Sequence, residues 1–499
     1  MSTSEANIRT KQTDVAIVGM GPTGTTLANL LAQCGVHITI IDREAAIYHL
    51  PRAVHFDGET MRVFQAVGIA DDLSRKVRVN PGMRFVDPDG SLLLDWPRPQ
   101  DRGPHGWYAS YRLHQPDLEA LLRDKLASYA NVDVLTNTEV RSADDSGTGV
   151  NLTCQNRETH TAVNVQAKYV VGCDGAGSLI RGAIGSGMDD LGFEERWLVI
   201  DLLLKRERPD LGDHSVQFCS PTRPMTYCRS PGIRRRWEIT LLKDETDQDV
   251  TQEARIWQFL SPWIGPDDAV LERSAVYTFR SAVAETWRKG RLMIAGDAAH
   301  LTPPFMGQGM CAGIRDAANL AWKLAAVAKG RADETLLDSY QAERDPNVRA
   351  YIETAMRLGG LINSLDRDSA LKQADHSTPG TAKMASIAPP LGPSDLAGLV
   401  STLSPHQSTL FSQPILNDGH MLDDISGYDP VLILRHKPSS VLPNNTLVLD
   451  AETHPNLKIA LEALETNALL IRPDKYIAAS AITNREIAEI AAINLPKSK

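Results

Sequence analysis

The segment "DVAIVGMGPTGTTLANLLAQCGVHITIIDRE" (Asp14–Glu44) decides how the amino-terminal part of the chain folds. An apolar run, Asp14–Val18, leads into a G-x-G-x-x-G turn, a helical pattern over Thr25–Gln33 and a second apolar strand, Val36–Ile41. In this context the glycines permit a tight turn and the close approach of a pyrophosphate to the helix N-terminus. The turn contains Gly19, Gly21, Pro22, Thr23 and Gly24. The pattern predicts a dinucleotide site; the alternative is a packing turn that binds nothing.

An acidic residue at the end of the second strand supports the dinucleotide interpretation. Asp42 stands about 20 residues beyond the turn, where this fingerprint places a carboxylate for a ribose 2′-hydroxyl. Arg43 follows it directly, and we expect both residues to lie beside the bound cofactor.

The bulk composition is that of a globular protein and bounds the class of partner. The chain has 499 residues, 42% hydrophobic and 23% charged, with a net charge of −10. That length predicts two or three domains, and the acidic balance argues against nucleic acid or an anionic membrane as a partner. Six scattered cysteines without a C-x-x-C pair indicate free thiols, no metal site and a reducing compartment. Because the N-terminus is polar and no apolar run approaches ~18 residues, we expect a cytoplasmic protein.

Two later segments repeat the pattern of a strand that ends in a carboxylate. In "YVVGCDGAGSLIR" (Tyr169–Arg181), a buried strand ends before Asp174, and Ser178 could cap the next helix. In "GDAAHLTPPFMGQGMCAGIRDAANLAWKL" (Gly296–Leu324), Asp297 follows the strand Arg291–Ala295. Cofactors of open α/β sheets bind at the carboxyl ends of the strands, so we expect these acids to meet there.

The loop after Asp297 predicts an anion site made of backbone amides. Pro303 and Pro304 stiffen it, and Gly307 and Gly309 leave amides uncovered before a helix that we expect to begin near Met310. The amino end of a helix carries unpaired N–H groups and a partial positive charge. An ordinary connecting loop is the alternative. The predicted cofactor-binding residues of this segment are Gly296, Asp297, Pro304, Gly307, Gln308, Gly309 and Met310.

The order of elements predicts an α/β (α+β) protein with a Rossmann-like domain in two pieces. Short alternating strands between about Gly192 and Arg280 predict an inserted antiparallel sheet with one covered face. Two long helices are expected over Met310–Lys329 and Glu334–Leu365, and a smaller α/β domain at the C-terminus. The predicted boundaries are 13–190 with 291–365, 191–290, a polar linker over 366–400, and 401–499.

These three motifs, in this order, resemble the FAD-dependent aromatic hydroxylases of the para-hydroxybenzoate and phenol hydroxylase superfamily. The resemblance is closest to the 3-(3-hydroxyphenyl)propionate hydroxylase-like branch. It implies an FAD-binding domain, a substrate-binding sheet and a thioredoxin-like tail. Without a C-x-x-C the tail is expected to have no redox role and to serve a domain or oligomer contact. The chain has Cys311 where many members carry Asn, which removes any flavin contact through that side chain.

The resemblance also implies roles for the motif residues. Asp42 would hold the adenosine ribose, Arg52 would lie near the pyrophosphate, and Gln115 near the ribityl chain or the flavin ring. Asp174 would serve FAD binding and the reaction with the nicotinamide, and Asp297 would hold the ribityl chain. The amides of Gly307–Met310 would stabilise negative charge on the reduced flavin.

The implied reaction is hydroxylation of a small phenol by O₂ and NADPH or NADH, through a C4a-hydroperoxyflavin. A group that accepts the phenolic proton assists it, and the pocket must exclude water. We consider His55 and Asp57 as candidates, with a structural histidine and a helix N-cap as the alternatives. Tyr227 and Arg229 could line the pocket from the inserted sheet, or be ordinary sheet residues.

Further apolar and basic residues have less definite roles. Phe305, Met306 and Trp107 are candidate apolar walls, and His300 is expected to be a turn residue. The basic cluster Arg234–Arg236 reads as a solvated hairpin tip, or as a site for a nicotinamide phosphate or a substrate carboxylate.

Two other functions remain open from the sequence. One is an oxygenase that acts on a larger polyketide or antibiotic. The other, from a different class, is a binding module of the same fold that uses no flavin. A homodimer is possible, and the choice between NADH and NADPH is open because this class has no second Rossmann motif.

Overall fold

The computed structural model describes residues 9–362, 375–378, 381–383, 386–396, 398, 400, 404–436, 446–493 and 495–497. The end of the predicted helix Glu334–Leu365, most of the first half of the predicted linker and the first residues of the predicted tail domain lie outside these ranges. Among the described residues, no helix combines the length and the hydrophobicity needed to cross a membrane.

The elements alternate between strands and helices along most of the chain. The strands are β1 (Arg9–Val18), β2 (Ile38–Ile41), β3 (His55–Asp57), β4 (Arg78–Val79), β5 (Gly82–Val86), β6 (Leu92–Pro97), β7 (Ser110–Arg112), β8 (Val132–Leu135), β9 (Thr138–Asp145), β10 (Val150–Asn156), β11 (Ala162–Gly172), β12 (Met188–Leu204), β13 (Ser215–Phe218), β14 (Met225–Arg229), β15 (Arg234–Thr240), β16 (Ala269–Ala284), β17 (Arg288–Lys289), β18 (Leu292–Ile294), β19 (His300–Leu301), β20 (Asp375–Thr378), β21 (Thr381–Lys383), β22 (Val431–Leu434), β23 (Leu447–Asp450), β24 (Ala468–Ile471) and β25 (Ile477–Ala481). The α-helices are α1 (Pro22–Gln33), α2 (Gly58–Val67), α3 (Ala70–Ser74), α4 (Gln115–Leu126), α5 (Leu179–Ile184), α6 (Asp247–Val250), α7 (Glu253–Leu260), α8 (Gly309–Ala328), α9 (Asp338–Ile362), α10 (Leu422–Ser426), α11 (Pro455–Ala463) and α12 (Asn484–Ala492).

The first sheet brings the three motif strands together. Its order is β17-β18-β11-β1-β2-β8, and β18, β11, β1, β2 and β8 run parallel. The antiparallel strands β9 and β10 extend it from β11. The second half of β1 (Val15–Val18), strand β2 and helices α1 and α8 are almost wholly buried, as expected for a parallel sheet with helices over its faces. The predicted Rossmann-like α/β fold is confirmed.

The second sheet is larger than the predicted insertion. Its order is β19-β16-β12-β15-β14-β13-β5-β6-β21-β20. Strands β5 and β6 come from the part of the chain that we predicted as nucleotide-binding, and β20 and β21 from the predicted linker, so the boundaries 191–290 and 366–400 differ from the structure. Sequence reasoning missed that β5 and β6 belong to this sheet because β5 joins it through β13, which follows more than a hundred residues later and pairs in parallel.

The C-terminal unit has a four-stranded sheet in the order β23-β22-β24-β25. Strands β22 and β23 are parallel, whereas β24 runs antiparallel to β22 and β25 antiparallel to β24. This is the strand order of the thioredoxin-like fold that the resemblance implied. None of its described residues is a cysteine.

Buried ionic contacts fasten this unit to the first domain. Arg62 pairs with Asp423 at 2.8 Å, and Arg472 pairs with Glu343 at 2.7 Å. All four side chains are nearly fully buried. Removing one partner of such a pair leaves a buried charge without compensation, which is strongly destabilising. We expected the C-terminal tail to make a domain or oligomer contact. These buried ion pairs make its contact with the first domain a fixed part of the fold.

Candidate active site

The carboxyl ends of four parallel strands form the upper edge of the candidate site. Val18 of β1 lies opposite Gly172 of β11 and Ile41 of β2, and Gly172 lies opposite Ile294 of β18. The glycine turn, Asp42, Asp174 and Asp297 each follow one of these strand ends within a few residues. The structure therefore brings together the three motifs that the sequence predicted to meet.

The three motif glycines have different surroundings. Gly19 has φ +103°, and a Cβ there would lie 2.3 Å from the carbonyl oxygen of Cys173. A Cβ at Gly24 would lie 2.0 Å from the carbonyl oxygen of Gly19. Gly21 is different because a Cβ there would meet no atom within 4 Å. It precedes Pro22 at the start of α1, whose amino end has no side-chain cap and no acidic residue in its first turn. Gly19 and Gly24 thus shape the turn, and Gly21 leaves open space over free amides, as a pyrophosphate requires.

Thr23 has a structural contact that the sequence did not suggest. A Cβ at Gly296 would lie 2.8 Å from the Thr23 Oγ1, and one at Gly313 would lie 2.2 Å from it. Thr23 therefore packs helix α1 against the Gly296 turn and helix α8. This close packing ties the first motif to the third.

Asp42 and Arg43 stand at the end of β2. The Asp42 carboxylate accepts hydrogen bonds from the backbone amides of Met20, at 2.6 Å, and Glu44, at 2.7 Å. Arg43 is exposed, with its Nε 3.3 Å from the Glu44 carboxylate. Asp42 therefore fixes the glycine turn, and the role of both residues toward a ribose stays a prediction.

Asp174 caps helix α5. Its carboxylate accepts from the Ser178 hydroxyl at 2.5 Å and from the Leu179 amide at 2.7 Å. Ser178 accepts from the Arg181 amide, as the capping alternative predicted. The Arg181 guanidinium donates to the Ala298 carbonyl at 2.9 Å and so joins the second motif to the third. The predicted contact of Asp174 with FAD remains a prediction.

Gln115 holds the backbone at Arg52. Its Oε1 accepts from the amides of Arg52 at 3.1 Å and Ala53 at 2.6 Å. The Arg236 guanidinium donates to the Arg52 carbonyl at 2.8 Å and pairs with Asp201 at 2.7 Å. Arg235 and Arg236 are both buried and Arg234 is half-buried, so the interpretation of Arg234–Arg236 as a solvated hairpin tip is wrong. The Arg52 side chain is exposed and available to an anionic ligand.

The Asp297 carboxylate is exposed at the strand edge. No described residue donates a hydrogen bond to it, in contrast to the carboxylates of Asp42 and Asp174, which accept several. A carboxylate free of protein donors beside the glycine turn suits a polyol such as a ribityl chain.

Replacing Asp297 with alanine is expected to weaken FAD binding by about 10- to 100-fold, since a hydrogen bond to a charged group contributes about 1.5–3 kcal/mol. The melting temperature of the apoprotein should hardly change, because the carboxylate has no donor among the described residues. Fluorescence titration of the apoprotein with FAD measures the affinity of Asp297→Ala and of the control Asp244→Ala, whose side chain is exposed. Equal FAD affinity in Asp297→Ala and the control would refute this role.

The loop before α8 supplies the expected open amides. Pro304–Met306 forms a short 3₁₀ helix, Gly307 has φ +62°, and α8 begins at Gly309, one residue earlier than predicted. The amino end of α8 has no side-chain cap and no acidic residue in its first turn. Gln308 turns its side chain away and accepts from the Arg315 guanidinium at 3.0 Å. The helix end is therefore free to face an anionic ligand.

Asp316 is the main structural residue that sequence reasoning missed. It lies fully buried in α8 and accepts from the Gly296 amide at 2.9 Å, His300 Nε2 at 2.6 Å and Arg344 Nε at 2.8 Å. Burial raises the pKa of Asp316, but His300 and Arg344 outweigh burial and lower it to about 2. His300 begins strand β19, which corrects the expectation of a turn residue, and it is tied to α8 through Asp316. An acid within the apolar helix Gly309–Ala328 was the available signal.

A pocket of about 650 Å³ lies between this loop and the second sheet. His55 and Gly307 border it on one side, and the sheet supplies the opposite wall. Its lining includes the apolar residues Val54, Met83, Trp96, Trp197, Pro304, Phe305 and Met306, and the polar residues Asn80, Arg98, Arg112, Gln217, Thr226, Cys228 and Glu238. Phe305 and Met306 are walls as predicted, whereas Trp107 lies elsewhere and donates to Gln65.

His55 has both ring nitrogens engaged. Nε2 is 2.8 Å from the Ser110 hydroxyl, and Nδ1 is 3.3 Å from the Gly307 carbonyl. Because a carbonyl only accepts, we assign the proton to Nδ1. Burial, together with the Arg112 guanidinium, lowers the pKa of His55 to about 3. His55 is therefore neutral near pH 7 and positions the Gly307 turn, which disfavours its predicted role as the base.

Stability should fall on acidification because of His55. Between pH 6.5 and about 3 the unfolded chain protonates this residue and the folded protein does not, so folding weakens by up to about 1.4 kcal/mol per pH unit. Denaturant midpoints at pH 7, 6 and 5 should drop more steeply for the wild type than for His55→Gln. The exposed His49→Gln is the control and should keep the wild-type slope. Identical slopes in all three proteins would contradict the buried neutral imidazole.

Asp57 is the N-cap of α2. It accepts from the Thr60 amide at 2.9 Å and forms an ion pair with Arg315. Burial raises the pKa of Asp57, but Arg315 and Thr60 outweigh burial and hold the pKa well below its ordinary value. The capping alternative describes the structure, and a permanently ionised, paired carboxylate is unsuited to accept the phenolic proton.

Tyr227 and Arg229 correct the prediction for the inserted sheet. Successive side chains of a strand point to opposite faces, and on β14 it is Thr226 and Cys228 that line the pocket. Tyr227 packs in the core on the other face, 4.8 Å from Trp237 between ring centroids, and Arg229 pairs with Asp213 at 3.2 Å. The side chains of Tyr227 and Arg229, which we predicted to line the pocket, therefore point away from it.

The geometry fits FAD. The open space at Gly21, the donor-free carboxylate of Asp297 and the uncapped end of α8 offer partners of the kinds that a pyrophosphate, a ribityl chain and a flavin ring require. The site is that of a flavoprotein.

Comparison with known proteins agrees with this class. The family model described as "FAD binding domain" matches residues 12–355, and the chain belongs to that family. A probable NADH-specific resorcinol 4-hydroxylase of Rhodococcus jostii (strain RHA1) is 41% identical over 361 residues, which cover 72% of this chain and 67% of the relative. A 3-(3-hydroxy-phenyl)propionate/3-hydroxycinnamic acid hydroxylase of Mycolicibacterium smegmatis (strain ATCC 700084 / mc(2)155) is 32% identical over 95% of this chain and 91% of the relative.

Solved structures show the same fold. The flavin-dependent monooxygenase PieE, crystallised with FAD and substrate, has a TM-score of 0.77 at 20% identity and covers 97% of this chain and 98% of its own. The family model and the two hydroxylase relatives confirm the resemblance to FAD-dependent hydroxylases, and the protein is an FAD-dependent monooxygenase.

Proposed function

We propose that this protein hydroxylates a small phenol with O₂ and NADH or NADPH. The observation that carries the proposal is the pocket of about 650 Å³ directly against His55 and Gly307, at the end of the cleft that fits FAD. Its mixture of aromatic walls with a few convergent polar groups is typical of a small-molecule site. The names of the two hydroxylase relatives support a phenolic substrate.

FAD, when bound, supplies the passage of electrons from the nicotinamide to O₂ that the reaction needs. The chain's residues hold it through Gly21, Asp297 and the amides at the start of α8. Aromatic walls keep water from the reacting ring; Phe305 packs edge-on against Trp197, 5.9 Å between ring centroids. With His55 tied to Gly307 and Asp57 to Arg315, the loop and strand under the pocket are rigid before substrate arrives.

The experiment is a panel of phenols screened for stimulated NADH and NADPH oxidation, with product identification and ¹⁸O₂ labelling. The proposal expects at least one phenol to give a product with one more oxygen, derived from O₂. A holoenzyme whose nicotinamide oxidation no phenol stimulates would contradict it. A colourless preparation that cannot be loaded with FAD would instead favour the binding module, against which the free carboxylate of Asp297 already argues.

Two further points belong to this proposal. We expect a cytoplasmic protein, supported by the six free cysteines and testable by fractionation. A homodimer is a possibility that light scattering of the purified holoenzyme would decide.

A further inference from the structure

Glu238 projects from the sheet wall into the pocket. It lies on β15 opposite Thr226 of β14 and Val199 of β12, and it faces the same space as Thr226 and Cys228. Its side chain keeps 15% of its surface exposed. No hydrogen bond joins its carboxylate to another residue in the described part of the chain. The group is thus almost buried, ionisable and without donors.

The neighbouring cation does not satisfy Glu238. Arg236 is the nearest, with its Nη1 3.7 Å from Glu238 Oε1. That nitrogen donates to the Arg52 carbonyl at 2.8 Å, and the rest of the guanidinium is bonded to Asp201 and the Pro51 carbonyl. Burial raises the pKa of Glu238. A buried carboxylate without hydrogen bonds is costly, so the arrangement suits a ligand that brings a donor.

A second unsatisfied group, on the strand β7 that pairs with the strand of His55, lines the same pocket. Arg112 is buried, and its Nη2 donates to the Ser215 hydroxyl, but its Nε has no acceptor among the described residues. Arg112 is close enough to Glu238 to oppose the rise of its pKa. Glu238 needs a donor, whereas Arg112 Nε needs an acceptor. A hydroxyl group offers both, whereas a carboxylate only accepts and would be repelled by Glu238.

We propose that Glu238 accepts a hydrogen bond from a second hydroxyl of the substrate, so that the pocket selects a dihydric phenol over a phenol with a carboxylate side chain. This inference rests on the proposed hydroxylation of a small phenol. It assigns Glu238 to substrate binding and leaves Arg112 to donate to the oxygen of a hydroxyl.

Binding to oxidised holoenzyme, followed by the change in flavin absorbance without nicotinamide, tests the proposal separately from turnover. Benzene-1,3-diol should bind the wild type at least about tenfold more tightly than 3-methoxyphenol, which lacks the second donor, since a hydrogen bond to a charged group contributes at least about 1.5 kcal/mol. Glu238→Gln should reduce that ratio to about twofold or less and leave 3-methoxyphenol affinity nearly unchanged. Glu194→Gln, exposed on the same sheet, is the matched control and should retain the wild-type ratio.

The carboxylated probe is 3-(3-hydroxyphenyl)propanoate. The wild type should bind it more weakly than the diol, and Glu238→Gln should narrow this difference. The proposal is overturned if Glu238→Gln weakens the diol and 3-methoxyphenol equally, or if the wild type prefers the carboxylate. Should Glu238→Gln not fold, the three wild-type affinities alone decide. Failure of the proposed function is distinct, because then no phenol stimulates nicotinamide oxidation in the wild type.

Discussion

Replacing Gly21 with valine is expected to abolish FAD retention while the apoprotein stays folded. A Cβ at this position would meet no protein atom within 4 Å, and its φ of −75° is open to any residue. The added methyl groups would fill the space over the free amides of α1, where the pyrophosphate must approach. We expect FAD affinity to fall by at least about 100-fold, or about 2.7 kcal/mol, by titration of apoprotein.

Gly24→Val is the matched variant for this test. Its Cβ would lie 2.0 Å from the Gly19 carbonyl oxygen, so the turn itself must shift. We expect Gly24→Val to lower the apoprotein melting temperature as well as FAD affinity, whereas Gly21→Val lowers affinity alone. A Gly21→Val protein purified with a full complement of FAD would show that the pyrophosphate lies elsewhere.

The second large effect is expected at Asp316. Alanine there leaves Arg344 and His300 buried without their partner and removes the acceptor of the Gly296 amide. Removing one partner of a buried pair costs about 3–5 kcal/mol. Denaturant unfolding should therefore show a loss of that size, and FAD retention should fall because Gly296 begins the turn that carries Asp297.

Glu489→Ala is the control for Asp316→Ala. Glu489 pairs with Arg485 at 3.0 Å on the surface, where such pairs contribute about 0–1 kcal/mol. An Asp316→Ala protein as stable as this control would contradict the assigned network.

The C-terminal unit reaches the active site through a chain of buried charges. Tyr476 donates to Glu59 at 2.6 Å, Glu59 pairs with Arg315 at 2.6 Å, and Arg315 pairs with Asp57 at the end of the strand that carries His55. This domain therefore helps to fix the floor of the pocket without any redox group of its own. From the absence of a C-x-x-C motif we expected the C-terminal unit to make a domain or oligomer contact. The structure contains a domain contact.

The sequence predicted that the three motifs meet at one edge of the sheet, because the signals for that arrangement are local. Gly19, Asp174 and Asp297 each follow directly after an apolar strand, and the rule that parallel strands end at one edge brings them together. The same reasoning could not separate residues that shape a loop from those that contact a ligand. Gly21 and Gly24 look alike in the sequence, and only the space around each distinguishes them.

The substrate wall was less predictable for a physical reason. Both faces of β14 are covered, one by the core around Trp237 and one by the pocket, so the strand shows no alternation of polar and apolar residues. A shift of one residue along a strand turns every side chain to the opposite face. The prediction of Tyr227 and Arg229 therefore names the core-facing residues of β14, whereas Thr226 and Cys228 face the pocket.

A crystal structure of the FAD-loaded protein tests the central claim most directly. We predict the pyrophosphate over Gly21, a ribityl hydroxyl within hydrogen-bond distance of Asp297, and the flavin ring against the amides at the start of α8. Flavin density in another part of the molecule, or a cleft that stays empty at saturating FAD, would contradict the account.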